Sequence, residues 1–249
     1  MKTHYKSLSD DQLEIVAIKT TGDIEQSIRL DQLGGKGLFA KEIELQIIED
    51  KIDLGLHSMK DMPASLNSNF EIGCWLPRED PRDALITNSG CGLSDLKPGS
   101  IVGTSSIRRR SQILRLRKDL RIVALRGNID TRIQKLKDKN YDAIVLSYAG
   151  LIRLNPQDLK FSILSFDDFL PAACQGAIGA EVKLNNEKMK FFLKPVNDSI
   201  TELCCLSERK ILSSIHANCN TPIGVYASIE NDKMIIRSEL FNHDGHCLF

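Results

Sequence analysis

The sequence predicts an α/β protein built from repeated strand and helix units, on three observations. Short apolar runs are followed by glycine- or serine-rich turns and then by segments with apolar residues at helical spacing, an order that places helices against sheets. The composition, 42% hydrophobic and 27% charged with 16 glycines and 8 prolines, is that of a folded globular chain and excludes disordered and fibrous classes. The length of 249 residues suits two units of about 100 residues each with a smaller third.

Taken in order, residues 13–20 (LEIVAIKT) alternate apolar and polar positions and predict a strand. Residues 31–37 (DQLGGKG) form a glycine-rich loop, residues 38–50 (LFAKEIELQIIED) carry helical spacing, and residues 52–57 (IDLGLH) predict a short buried strand. Together these suggest a βαβ unit. Residues 88–100 (NSGCGLSDLKPGS) are rich in Gly and Ser and, on composition, mark a domain boundary. The theme then repeats, with strands at 101–103, 121–125 and 143–147 and helices at 106–117 and 128–137. Residues 170–179 (LPAACQGAIG) are a second candidate crossing; 186–196 and 198–215 are helical in pattern, and 224–229 with 234–240 predict strands paired around Asn231-Asp232. A hairpin with no covering helix after it makes this last unit look incomplete.

No run approaches the ~18 apolar residues of a membrane span, and acidic residues Asp10, Asp11 and Glu14 replace a signal-peptide core, so a cytoplasmic address is expected. Seven cysteines without a CxxC pair argue against a disulfide framework or a zinc knuckle, and most are expected to be reduced packing residues. His216, His243, His246 and Cys247 lack standard zinc spacing, so no metal is expected.

The net charge is zero, with 33 basic and 33 acidic residues, but it is unevenly spread. Residues 101–154 hold 13 Lys/Arg against 4 Asp/Glu, whereas residues 1–100 hold 11 against 17. Charge segregated in this way suits a site for an anionic partner, although a solvated basic face has the same pattern. The loop Gly34-Gly35-Lys36-Gly37 opens a helix and is either an anion cradle or a plain turn; it is not a Walker loop. His57-Ser58-Met59-Lys60-Asp61 lies at a strand's carboxyl end, where Asp61 can stabilise a developing cation and Lys60 bind a carboxylate, or where the two form a surface ion pair. His57 alone is more often structural. Gly103-Thr104-Ser105-Ser106-Ile107-Arg108-Arg109 is a strand end entering a helix, and Arg126 with Arg132, and Arg153, follow the next strands in the same way. Successive strand ends delivering guanidinium groups to one sheet edge point to a polyanion site. Nucleic acid fits poorly, because Tyr141 and Tyr148 are the only aromatics between 101 and 154. Cys219, in a Pro- and Gly-bounded loop, is either a nucleophile able to carry a covalent group or an ordinary exposed thiol.

Eight motifs occur in order along nearly the whole chain: GGKGLFAKEIE, LHSMKDMP, EDPRDALI, IVGTSSIRRRSQ, LRGNIDTRI, YDAIVLSYAGLIRL, LPAACQGAIG and NCNTPIG. In these the sequence resembles the porphobilinogen deaminase (hydroxymethylbilane synthase) family. The resemblance implies two periplasmic-binding-protein-like (type II) α/β domains flanking a cleft, with a small α+β C-terminal domain. It places residues 1–76 and 172–196 in the first domain, 77–171 in the second and 197–249 in the third.

The implied activity is a cytoplasmic, monomeric transferase of heme and porphyrin biosynthesis. It deaminates porphobilinogen and joins four units into the linear tetrapyrrole hydroxymethylbilane, on a dipyrromethane primer held by Cys219 through a thioether. No nucleotide, metal, nucleic acid or membrane is implied. By the same resemblance Asp61 is the catalytic carboxylate, and Lys60, Arg126 and Arg153 act with it. Lys60, Thr104, Ser105, Ser106, Arg108, Arg109, Arg126 and Arg153 match positions that hold cofactor or substrate carboxylates, Asp61 also contacts the cofactor, Gln175 matches the cofactor-side linker, and Lys36 and Phe39 match a mobile active-site loop. The Arg-x-Ser-x-Leu-Ala motif with which family members begin does not precede Met1, Gln32 stands where a lysine is frequent, and the third domain lacks its usual C-terminal helical portion, so a chain shortened at both ends is expected. The other class compatible with these residues is an inactive remnant, or a non-catalytic binding module for a small polyanion on the same fold; Lys60, Asp61 and Cys219 favour the enzyme.

Overall fold

A computed structural model describes residues 5, 9, 12–20, 40–218, 220–242 and 246–249. The expected α/β architecture is present as two sheets with flanking helices and a terminal hairpin. Helix α1 (Lys41–Ile48) leads into strand β1 (Gly55–Ser58), and β2 (Phe70–Trp75) follows. Both pair antiparallel with β8 (Ile178–Lys183), giving a three-stranded sheet in the order β1-β8-β2.

The second sheet contains β3 (Asp83–Thr87), β4 (Ile101–Gly103), β5 (Arg121–Val123), β6 (Ala143–Ser147) and β7 (Phe161–Ile163), in the order β5-β4-β6-β3-β7. Strands β4, β5 and β6 run parallel, with helices α2 (Ile107–Leu116) and α3 (Ile129–Lys137) in the crossovers and α4 (Tyr148–Leu154) after β6. Strand β3 is antiparallel to β6, with Asp83 opposite Ser147, so the start of β3 lies at the carboxyl edge of the parallel strands. Helices α5 (Glu187–Leu193) and α6 (Ser199–Ser214) precede the hairpin β9 (Ile223–Glu230) and β10 (Lys233–Leu240).

Local chemistry explains the helix starts. Ser106, Asn128, Ser147, Asn186 and Asp198 each accept a bond from the backbone N–H three residues on, satisfying a donor the first turn leaves open. The hairpin turn at Asn231-Asp232 has φ of 49° and 59°, the paired left-handed conformation that a two-residue connection needs and that these residues tolerate.

Two expectations are corrected. Residues 13–20 form no strand: Ile15 is 95% exposed, and the alternating pattern finds no ladder partner among the described residues. Residues 88–100 do not divide two domains, because β3 before them and β4 after them belong to one sheet; the Gly- and Ser-rich composition reflects a surface connection with a short 3-10 turn at Leu93–Asp95. The chain passes between the sheets at residues 76–82 and again at 164–177. Both passages leave or enter at one edge of the first sheet, since Ser58 pairs with Ile178 and Trp75 with Gly179. A core cluster spans this junction, with Met59, Met62, Trp75, Ala173, Cys174, Ala177, Cys205, Ile223 and Val225 all buried together.

Candidate functional site

Strand β1 ends at this junction and continues as the 3-10 turn Met59–Asp61. Met59 anchors the turn: its side chain is 1% exposed and its N–H donates to the Ala177 carbonyl at 3.1 Å. Beneath it, the strand β8 residue is Gly179, where a Cβ would stand 2.4 Å from the Met59 Sδ, so close packing of the turn requires a glycine there. His57 is buried with its Nε2 3.0 Å from Glu181 Oε2, which makes it a structural histidine. The anchored turn leaves Asp61 exposed and Lys60 partly covered.

The carboxyl edge of β4, β5 and β6 supplies the opposing charge. After β4, Thr104, Ser105 and Ser106 are held by local bonds: Thr104 Oγ1 accepts from the Ser106 N–H at 3.2 Å, and Ser106 caps α2. Ser105 Oγ donates to the Leu125 carbonyl at 2.9 Å and accepts from its N–H at 3.1 Å, tying this turn to the end of β5. Arg126 follows that tie, partly exposed, and the Arg132 Nε donates to the Gly127 carbonyl at 2.6 Å. Arg153, near the end of α4, reaches the Gly176 carbonyl at 2.6 Å through Nη2 and so touches the second passage between sheets.

Arg108 and Arg109 are both buried and converge on a residue that the sequence reading did not single out. Asp83, fully buried, pairs through Oδ2 with Arg108 Nη1 at 2.8 Å and through Oδ1 with Arg109 Nη2 at 2.6 Å. Gln175 Nε2 donates to the same Oδ1 at 2.9 Å and to the Pro81 carbonyl at 2.7 Å, while its Oε1 is buried without a hydrogen-bond partner. Arg108 Nη1 also donates to the Leu170 carbonyl at 2.6 Å, and Arg109 Nη1 to that of Val145 at 3.0 Å. Burial alone would raise the Asp83 carboxyl, but the two guanidinium groups overcome it and hold the group well below the ordinary carboxylate range. The available signal was a charged residue opening a run of apolar ones in EDPRDALI.

The two halves sense one another electrostatically. Burial depresses the Lys60 ammonium, Arg109 and Arg108 add to the depression, and Asp61 and Asp83 oppose it. Arg132 is likewise lowered by burial and by Arg109 and Arg126, with Asp61 opposing. The structure therefore gathers Lys60, Asp61, Arg108, Arg109, Arg126 and Arg132 around one locus, with Thr104, Ser105, Ser106 and Gln175 supporting it. Lys36, Phe39 and Cys219 lie outside the described residues.

Residues 2–191 match the family model for "Porphobilinogen deaminase, dipyromethane cofactor binding domain". The chain belongs to the porphobilinogen deaminase family. Residues 202–248 match the model for the family's C-terminal domain. A porphobilinogen deaminase of Exiguobacterium sibiricum is 45% identical over 222 residues, covering 89% of this chain and 72% of the relative. One from Clostridioides difficile is 43% identical, covering 94% of this chain and 77% of the relative. A chloroplastic porphobilinogen deaminase of Oryza sativa subsp. japonica is 42% identical, covering 99% and 69% respectively. No helix among the described residues is long and apolar enough to cross a membrane.

Proposed function

We propose that this member of the porphobilinogen deaminase family is a transferase of tetrapyrrole biosynthesis that deaminates porphobilinogen and joins four units into hydroxymethylbilane. The observation that carries the reading is the opposition of one exposed carboxylate, Asp61, to a concentration of cations. Lys60, Arg108, Arg109, Arg126 and Arg132 against Asp61 and Asp83 leave an excess of positive charge where growing pyrrole chains, rich in acetate and propionate, need counterions.

A dipyrromethane group bearing such carboxylates fits this donor set, and the buried Gln175 Oε1 offers an acceptor still lacking a hydrogen-bond partner. By the family's motifs Cys219 is its anchor, with Arg108, Arg109, Arg126, Thr104, Ser105, Ser106 and Gln175 around it; when bound it supplies the primer on which the chain grows. Arg108 and Arg109 each spend donors on Asp83, which fixes their orientation and leaves further N–H groups for an anion. Lys60, Arg126, Arg132 and Arg153 hold substrate carboxylates, and by the family's motifs Lys36 and Phe39 are assigned to the active-site loop. Asp61 accepts hydrogen bonds from pyrrole N–H groups and stabilises the positive charge that develops as ammonia leaves, holding or releasing a proton at its carboxylate.

We also propose the domain division 1–76 with 172–196, 77–171 and 197–249, which the grouping of the strands into two sheets and a terminal hairpin supports, and a monomeric, cytoplasmic protein. Porphobilinogen consumption and ammonia release by the 249-residue chain test the proposal. Asp61→Asn is expected to lower turnover at least about 100-fold while leaving the melting temperature unchanged. Unchanged turnover in that variant would remove Asp61 from the reaction; binding of porphobilinogen with no ammonia released by the unsubstituted protein would favour a binding module.

A further inference from the structure

Away from the cation cluster, two thiols meet inside the core. Cys174, in the second passage between sheets, is 1% exposed; Cys205, on α6, is fully buried. Their sulfur atoms and a Glu208 carboxylate oxygen all lie within 4.8 Å of one another, and Cys174 Sγ donates to the Cys205 carbonyl at 3.6 Å. A metal ion does not suit this trio. Glu208 Oε1 already accepts from Arg78 Nη1 and the Ala227 N–H, both at 2.7 Å, and Oε2 accepts from the Cys174 N–H at 2.5 Å and Arg78 Nη2 at 3.2 Å. With the carboxylate committed and Arg78 paired to it, two sulfur atoms remain with no electrostatic place for an added cation.

We propose that Cys174 and Cys205 are an oxidisable pair, which a peroxide converts into an internal disulfide. One thiolate attacks a peroxide oxygen, the O–O bond breaks, and a sulfenic acid forms. The second thiol then attacks that sulfur, the S–O bond breaks and water leaves as the S–S bond forms. Two electrons pass from the sulfur atoms to the peroxide, and the two thiol protons end in two molecules of water.

The bond would fasten the place where the molecule's parts are joined. The Cys174 N–H bonds to Glu208 on α6, the neighbouring Gln175 side chain to Asp83, the Gln175 carbonyl to Arg78 Nε at 2.9 Å, and the Gly176 carbonyl to Arg153. Both cysteines share a core cluster with Met59, the anchor of the Lys60-Asp61 turn. The hydrogen bond to Cys205 and burial push the Cys174 thiol up, so the reduced form resists oxidation near neutrality and reacts faster as the solution is made alkaline.

The test treats the native 249-residue protein with hydrogen peroxide, blocks remaining thiols after denaturation and maps the digest by mass spectrometry. The expected product is a peptide joining Cys174 to Cys205, two hydrogens lighter than the separate peptides and released by dithiothreitol. Its formation should quicken with alkalinity and raise the melting temperature reversibly. Free, blockable Cys174 and Cys205 after treatment, or either one joined to a different cysteine, overturns the proposal. Cys174→Ser and, separately, Cys205→Ala should abolish the linked peptide; because the mapping is made on the unsubstituted protein, the result stands even where a variant folds poorly. Deaminase activity is not needed for the readout.

Discussion

Asp83 shows what a single charge does in this molecule. It opens β3, a strand with all five residues buried, and holds two guanidinium groups that would otherwise be uncompensated. Asp83→Asn should lower stability by about 3–5 kcal/mol, measured by urea unfolding, because removing one partner leaves buried charge unpaired. The pH dependence follows from the depressed carboxyl. A carboxylate held low in the folded state contributes stability above its unfolded value, near about pH 4, and that stability is lost as the pH falls further. Wild-type stability should therefore drop steeply below about pH 4, and Asp83→Asn, weaker at neutral pH, should show a shallower acid limb. Asp61 and Lys60 were legible in the sequence because a polar pair directly follows an apolar strand run. Asp83 was not, since a buried aspartate and a surface one look alike until their arginines converge from 25 residues further along the chain.

Among elements, those with local signals were legible and those defined by distant partners were not. Ser106, Asn128 and Asp198 announce helix starts by their own side chains, and Asn231-Asp232 announces the hairpin. Strand β3 carries no alternation because both its faces are covered, and three-residue β7 exists through pairing with β3. The alternation at 13–20 failed for the converse reason: pattern alone makes no ladder. The second passage between sheets supplies a test at this scale. Gly176 has φ of +89°, and a Cβ there would stand 2.3 Å from the Glu79 carbonyl oxygen of the first passage. Gly176→Ala should cost about 1–3 kcal/mol in unfolding free energy, whereas Gly99→Ala, also at positive φ but with open space around it, should cost less.

At the scale of the whole molecule, a chain of zero net charge brings Arg108, Arg109, Arg126 and Arg132 within electrostatic reach of Lys60 and the exposed Asp61. That segregation was visible as a charge count, but its convergence on Lys60 and Asp61 depends on both passages meeting at the same edge, which no local pattern encodes. Arg126→Leu should raise the KM for porphobilinogen roughly tenfold, the loss of a charge-assisted bond, while leaving the attachment of the primer intact. The central claim is that this chain builds its primer on Cys219 and works from it. The most direct measurement is the intact mass of the purified, denatured protein after incubation with porphobilinogen, beside a Cys219→Ser control. The account predicts an added mass of two deaminated porphobilinogen units that the control lacks; a bare polypeptide mass in both would contradict it.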